Sequence, residues 1–329
     1  MVPPSKTKIY DLFHLETIYN EKFNYFLPSN LLVNYLNGTE FGRITPYTEN
    51  ELQQLQEEYA GIRKSVLIDE LPYTKNIKGK VDLITAGAPG AGKTYLLNQI
   101  LKTQKAKNHV FGYHDPDDVY LRCMENTYWK MVRDEVQQGK DELSSKQKAY
   151  EKFRPASNEF FNLGLATNLS QGKNVAIGTT LTSARISNLL EFLEKNNYEI
   201  QLIHVSAPKD VRIDSVKIRD QSFVQTTSND IETKGHLFTQ RIHDYMKYGS
   251  KIDFYYRRAA DEDAILAATL QGKLKKREIK IINRESWDQV KNLHNATCQQ
   301  LGLDSSYLWE NAVEKQVVNI LDASEIKKT

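Results

Sequence analysis

The chain has 329 residues, 40% of them hydrophobic and 26% charged, enough to bury the core of one large α/β domain with additions, or of two domains. Its formal net charge of +2 argues against the strongly basic footprint of nucleic-acid binders and of polybasic membrane-surface proteins. Cys123 and Cys298 are too far apart for a metal-type spacing and form no disulfide framework, no apolar run approaches a membrane span, and Met1–Lys6 lack the apolar core of a secretory signal, so a cytoplasmic location is expected.

Tyr10–Phe26 is rich in aromatics, and Pro28 and Gly38 punctuate the stretch after it. Thr48-Glu49-Asn50-Glu51 has capping-box spacing. Leu52, Leu55, Tyr59, Ile62 and Val66 then recur at three and four residues, which marks an amphipathic helix of about five turns. Packing on the main domain is the ordinary role for such a helix. A regulatory or partner-binding role is the alternative.

Strand and helix patterns alternate from Lys80 onward. Val81–Ala86 reads as a buried strand, Gly87–Thr94 as a glycine-rich loop, and Tyr95–Leu101 as a helix. His109–Tyr113 is a second strand, followed by a helix over Asp117–Val136. Asp141–Lys152 is a polar connection or an exposed helix. Pro155 opens another helix that runs to Gly172, since proline suits a first turn. Strands follow at Asn174–Gly178, Ile200–Val205 and Ile252–Tyr256. Helices separate them at Ser183–Lys195 and Pro208–Arg219. This order predicts an α/β fold, a parallel sheet with helices on both faces, with ligands at the carboxyl ends of the strands. Past Arg258 the pattern changes to a hairpin over Ile265–Leu270 and Ile279–Ile282, then helical stretches at Trp287–Leu301 and Leu308–Leu321. Lys273, Lys275, Lys276 and Arg277 read as a solvated basic turn. The expected divisions are a helical N-terminal extension (1–79), a P-loop domain (80–258) and an α/β C-terminal extension (259–329).

The loop Gly87-Ala88-Pro89-Gly90-Ala91-Gly92-Lys93-Thr94 is a complete G-x-x-x-x-G-K-[ST] motif in its strand–loop–helix setting. Its glycines let successive N–H groups turn toward one anion. Lys93 should reach the β- and γ-phosphates, and Thr94 should hold Mg²⁺ through its hydroxyl. The second strand ends in Tyr113-His114-Asp115-Pro116-Asp117-Asp118. One acid there can hold a metal, another can accept the proton of an attacking hydroxyl, and one can cap the following helix. Arg219 can fold over a γ-phosphate. Gln221–Gly235 is polar and reads as a mobile lid, with Lys234 and Arg241 as cations at its edge.

Together these motifs resemble the zeta-toxin family of P-loop kinases, from about Val81 to Tyr256. The family's glycine loop matches Gly87–Thr94. Its strand-end acids match Asp115 and Asp117, which implies Asp117 as catalytic base and Asp115 on the substrate. Its proline-led substrate helix with a Ser-Asn pair matches Pro155, Ser157 and Asn158. Its helix arginine, eleven residues after a strand-end proline, matches Arg219 after Pro208, and its closing strand and arginine resemble Ile252–Arg257. The resemblance implies a kinase using ATP or GTP with Mg²⁺, and known members phosphorylate UDP-N-acetylglucosamine. It also implies an antitoxin-like partner over the nucleotide site, or residues 1–75 covering it in cis, and action in the producing cell or in a target cell. The departures fall on the acceptor side. Asn162 stands where the family has glutamate, with Glu159 one turn earlier. Gly178 replaces the glutamate of a Glu-Gly-Thr triplet whose threonine is Thr180, Thr182 replaces an arginine, and Lys234 stands in for a lid arginine. Three readings are open: a phosphotransferase acting on a small hydroxyl compound such as a nucleotide sugar, a nucleotide-binding module without transfer, and a polynucleotide kinase. Near-neutral charge disfavours the last.

Overall fold

A computed structural model describes residues 19–20, 25–26, 47–67, 80–107, 109–183, 186–226, 228–272 and 276–323. The expectations on Pro28, Gly38, Lys273 and Lys275 lie outside them, as does most of Tyr10–Phe26. Its described residues form the paired two-residue strands β1 (Tyr19–Asn20) and β2 (Tyr25–Phe26). The chain forms two compact units whose segments interleave. The first takes residues 1–79, 109–176 and 220–225, the second 80–108, 177–219 and 226–329. These bounds cut across the expected 80–258 domain and join its nucleotide loop to the C-terminal region.

In the first unit the capping box forms at the start of helix α1 (Glu49–Val66). Glu51 N–H donates to Thr48 Oγ1 and Thr48 N–H to Glu51 Oε2. All five residues of the apolar stripe are buried, each contributing about 1.5–3 kcal/mol. Tyr59 packs on Phe160 with ring centroids 4.8 Å apart. Glu58 is buried as well. Its carboxylate accepts from Asn126 N–H, Thr127 N–H and Thr127 Oγ1–H, so α1 supplies the groups that satisfy the chain entering helix α3 (Tyr128–Gln137).

Two expectations are corrected here. The region read as one helix over Asp117–Val136 is broken. A π-helical turn at Pro116–Tyr120 and a 3₁₀ turn at Leu121–Cys123 precede α3. The acid side chain at Asp115 competes for the backbone and makes a wide turn instead. Pro155 does not open its helix either. Helix α4 runs from Glu142 to Ser170, capped by Asp141, with Pro155 inside. A proline leaves the carbonyl one turn back without its N–H donor. Nearby carbonyls take side-chain donors: Tyr47 Oη donates to Lys152 O at 3.0 Å and Ser157 Oγ to Arg154 O at 2.8 Å.

The second unit is built on strands β3 (Val81–Ala86), β6 (Glu199–Ser206) and β7 (Lys251–Tyr256), which pair in parallel. Strands β8 (Ile265–Gln271) and β9 (Glu278–Ile281) add the expected hairpin, antiparallel to β7 and to each other. The sheet is therefore mixed. Its edge is β10 (Asn319–Asp322), parallel to β9, which corrects the helix expected over Leu308–Leu321. Only Trp309–Ala312 is helical there, followed by a 3₁₀ turn. Helix α9 (Arg284–Gln300) covers the face of β7 that carries Ile252, Phe254 and Tyr256, with Trp287 5.4 Å from Phe254. Arg277 is buried, not part of a solvated turn. Its guanidinium donates to the carbonyls of Met246 and Gly249. The polar stretch expected to be a lid is helical from Ser228, as helix α7 (Ser228–Gln240).

Candidate active site

The candidate nucleotide-binding residues lie in the second unit, at the carboxyl end of β3. Gly90 and Gly92 have φ of 81° and 92°, a region that L side chains avoid. Space explains them too. A Cβ on Gly90 would sit 2.2 Å from Arg212 O, and one on Gly92 3.1 Å from Arg257 Nη1. Gly92 caps helix α2 (Lys93–Ala106) with no side-chain hydrogen bond, and a helix start of this kind directs backbone N–H groups and the positive end of the helix dipole toward the loop. Lys93 Nζ folds back on Ala88 O of the same loop at 2.8 Å. Thr94, half-buried in the first turn of α2, is the residue that would hold Mg²⁺. The described residues contain no group of three His, Cys, Asp or Glu side chains placed to hold a metal.

Two segments brace the loop from within the same unit. Gly87 N–H donates to Thr180 O at 3.4 Å, while Thr85 Oγ1 donates to Thr179 O and accepts from Thr179 N–H, both at 2.8 Å. Thr180 Oγ1 meets Thr182 Oγ1 at 2.8 Å, so the threonine standing where the family has arginine engages the candidate substrate threonine. Between them Leu181 is buried with φ of 58°, local strain of the kind held at functional sites. Arg257, just beyond β7, reaches Gly90 O at 3.4 Å, Ser215 Oγ at 3.0 Å and Glu262 O at 3.0 Å. Its Nη2 also donates to Ala260 O. All four are neutral acceptors, so among the described residues its charge stands beside the loop without a hydrogen-bonded carboxylate.

Helix α6 (Lys209–Asp220) carries the arginines. Arg219 is half-buried in its last turn. Two turns earlier, Arg212 Nη1 donates to Ile231 O of α7 at 2.8 Å. Lys234 of α7 pairs with Asp230 at 3.1 Å, and Arg241 with Asp244 at 3.3 Å.

The candidate residues matched to the family's acidic turn and substrate helix lie in the first unit, where strand β4 (Gly112–His114) runs into the acidic turn. Each acid has its own partner. Asp115 Oδ1 accepts the N–H groups of Asp117 and Asp118 at 2.8 and 2.9 Å, so it is the capping acid. Burial, and then the neighbouring Asp117, hold its carboxyl above the usual range. Asp118 pairs with Arg122 at 3.0 Å and accepts from Tyr113 Oη. Asp117 turns toward α4 and meets Arg154 Nε at 2.5 Å. Arg154 also donates through Nη1 to Asn158 Oδ1. Ser157 is buried with its hydroxyl on its own helix. Asn162 Nδ2 lies 3.5 Å from Glu159 Oε2, so the residue in the place of the family glutamate touches a glutamate one turn away. Beneath the turn, His114 is bonded on both nitrogens, to Tyr120 Oη at 2.8 Å and Asn168 Nδ2 at 2.9 Å. Asn168 Nδ2 also donates to Val66 O at 2.9 Å. Burial depresses the imidazole to about 3, so a neutral ring holds the turn.

Sequence reasoning missed Arg154 and Arg212 as site residues, and it matched Arg257 to the family's closing arginine without giving it a role. The one local signal for Arg154 is its place directly before Pro155.

Residues 64–244, more than half of the chain, match the zeta toxin family. The chain belongs to that family. No curated protein matches it. Among solved structures it is similar to a protein of the PezAT chromosomal toxin–antitoxin system of the human pathogen Streptococcus pneumoniae. That match has 19% identity and a TM-score of 0.44, covering 67% of this chain and 82% of the other. It is also similar to a chain of the AvrRxo1-ORF1:-ORF2 complex with ATP, at 14% identity and a TM-score of 0.46, covering 88% and 89%. No described helix of this family member is long and apolar enough to cross a membrane.

Proposed function

We propose that the protein is a P-loop phosphotransferase that moves the γ-phosphate of ATP or GTP to a hydroxyl of a small molecule, with nucleotide sugars as the first class to test. The observation that carries this reading is the loop: Gly90 and Gly92 at positive φ, an uncapped helix start, and Lys93 resting on Ala88 O. Lys93 would leave that carbonyl for the β/γ oxygens, and Arg219 would neutralise charge on the transferring group. Thr94 would hold Mg²⁺, which would supply charge neutralisation at the phosphates. Asp117, not engaged in capping, would take the proton of the attacking hydroxyl. Asn158, Thr180 and Asp115 would orient the acceptor, and Lys234 would act from α7. An antitoxin-like partner is proposed on family membership.

A second reading, nucleotide binding without transfer, is favoured by Gly178 and Asn162 standing where the family has acids. The test is mass spectrometry of metabolites after incubation with ATP, Mg²⁺ and a cell extract. A new phosphorylated metabolite is expected with the native chain and none with Lys93→Ala, whose ATP affinity also falls. Equal product from Lys93→Ala would overturn the kinase reading, and ATP binding without product from the native chain would favour the second.

A further inference from the structure

Within the first unit, the side chain assigned as base is not free to act. Arg154 Nε lies 2.5 Å from Asp117 Oδ1, and Nη2 lies 3.5 Å from Oδ2. Both side chains are about four-fifths buried. The other acids of the turn have different duties: Asp115 caps, and Asp118 pairs with Arg122 of the same turn. Asp117 is the acid that forms an ion pair with α4, the helix that carries the candidate acceptor residues Ser157 and Asn158. Asn158 fixes the second arm of the same guanidinium. The Nε–Oδ1 approach is an ion pair without hydrogen-bond geometry, and the cation it places against the carboxylate opposes the negative charge that would draw a hydroxyl proton. A planar five-donor fork is also well suited to exchange one oxyanion for another.

Resting on the phosphotransferase reading, we infer that Arg154 is an acceptor-sensing residue: it locks Asp117 in the free protein and releases it to an acceptor that brings its own anionic group. The anionic group takes the guanidinium, and Asp117 turns to the acceptor hydroxyl. The new bond forms between that oxygen and the γ-phosphorus, and the bond to the β-phosphate oxygen breaks. The hydroxyl proton passes to Asp117, and the electron pair of the broken bond leaves with the nucleoside diphosphate. Water brings no anion and so leaves the lock closed, which protects ATP from hydrolysis. Neutral alcohols fail for the same reason. Arg154 is thus a specificity and positioning residue that acts through Asp117.

The test uses the full chain with γ-labelled ATP and Mg²⁺. Extract metabolites are split by anion exchange into a retained anionic pool and an unretained neutral pool. The native chain is expected to label compounds from the retained pool only, with slow hydrolysis. Arg154→Gln is expected to lose that labelling while hydrolysing ATP about tenfold faster or more, because a competent state held at low population is released. Arg154→Lys, which keeps the charge but not the fork, should fall between the two. A merely structural role would lower both activities together. Native labelling from the neutral pool overturns the inference. So does a variant, folded by circular dichroism, whose hydrolysis is unchanged or lower. If Arg154→Gln does not fold, the same criterion applies to Arg154→Lys. A native chain that binds ATP but neither labels nor hydrolyses overturns the phosphotransferase reading itself, and the lock with it.

Discussion

Single residues in this protein divide chemistry between neighbours that look alike in sequence. Asp115, Asp117 and Asp118 are three carboxylates within four positions, yet one caps, one pairs locally and one turns to α4. If Asp117 is the base, Asp117→Asn keeps the shape and removes the proton acceptor. Turnover should fall at least about a hundredfold, with ATP affinity measured by calorimetry unchanged. Loss of activity in Asp115→Asn with Asp117→Asn intact would reassign the base. Asp82 is a different case. It is fully buried on β3, and neither carboxylate oxygen has a hydrogen-bond partner among the described residues. Burial raises its carboxyl well above the usual range. The folded chain therefore keeps a proton that the unfolded chain releases above about pH 4, and the cost to stability grows as pH rises from there. Asp82→Val, of similar size and suited to a strand, should raise the urea midpoint, and more so at pH 7 than at pH 4. An unchanged midpoint at both pH values would show that the carboxyl finds a partner.

At the scale of elements, α1 and α4 show what the N-terminal segment does. The α1 stripe is buried, and Glu58 satisfies the chain entering α3. Those contacts support a core element over cis-inhibition. Removing residues 1–67 should give an insoluble or strongly destabilised product, and Leu55→Ala alone should cost about 2–5 kcal/mol in denaturant unfolding. A soluble truncation with native stability and tighter ATP binding would restore the inhibitory role. The capping box and the 3.6-residue stripe of α1 were legible because they are local patterns. The interior position of Pro155 was not. Proline is common at helix starts, and nothing in the neighbouring residues reveals that Tyr47 will meet a carbonyl beside it.

For the molecule as a whole, pH is the accessible variable. His114 in the first unit and His204 in the second are each buried, and burial depresses each to about 3. In the unfolded chain both titrate near the ordinary value of about 6.5. Their neutral forms therefore lend full stability above that pH, and it is lost as pH falls toward about 3. Each histidine contributes a slope of at most about 1.4 kcal/mol per pH unit in that window. Denaturant unfolding at pH 7, 5.5 and 4 should show a progressive fall. Replacing His204, which sits among Phe238, Tyr245, Phe254 and Trp309, with Phe should flatten the slope. An equally steep slope in His204→Phe would place the titrating groups elsewhere.

Local order determined much of this protein. The strand–loop–helix around Lys93, the acidic strand end, the alternation that builds the second unit and the hairpin after Arg258 all follow from residue type and spacing over a few positions. Family membership is carried by the same short motifs. The tertiary structure decided which side chains share a charge. Arg154 follows Asp117 by 37 residues, and Arg257 follows Gly90 by 167. It also decided that Arg277 goes inside, where the carbonyls of Met246 and Gly249 receive it, and that β10 ends the sheet as a strand. The physical reason is range. Caps, turns and amphipathic stripes are set by neighbours along the chain, whereas an ion pair or a buried arginine is set by partners that only folding brings within hydrogen-bonding distance.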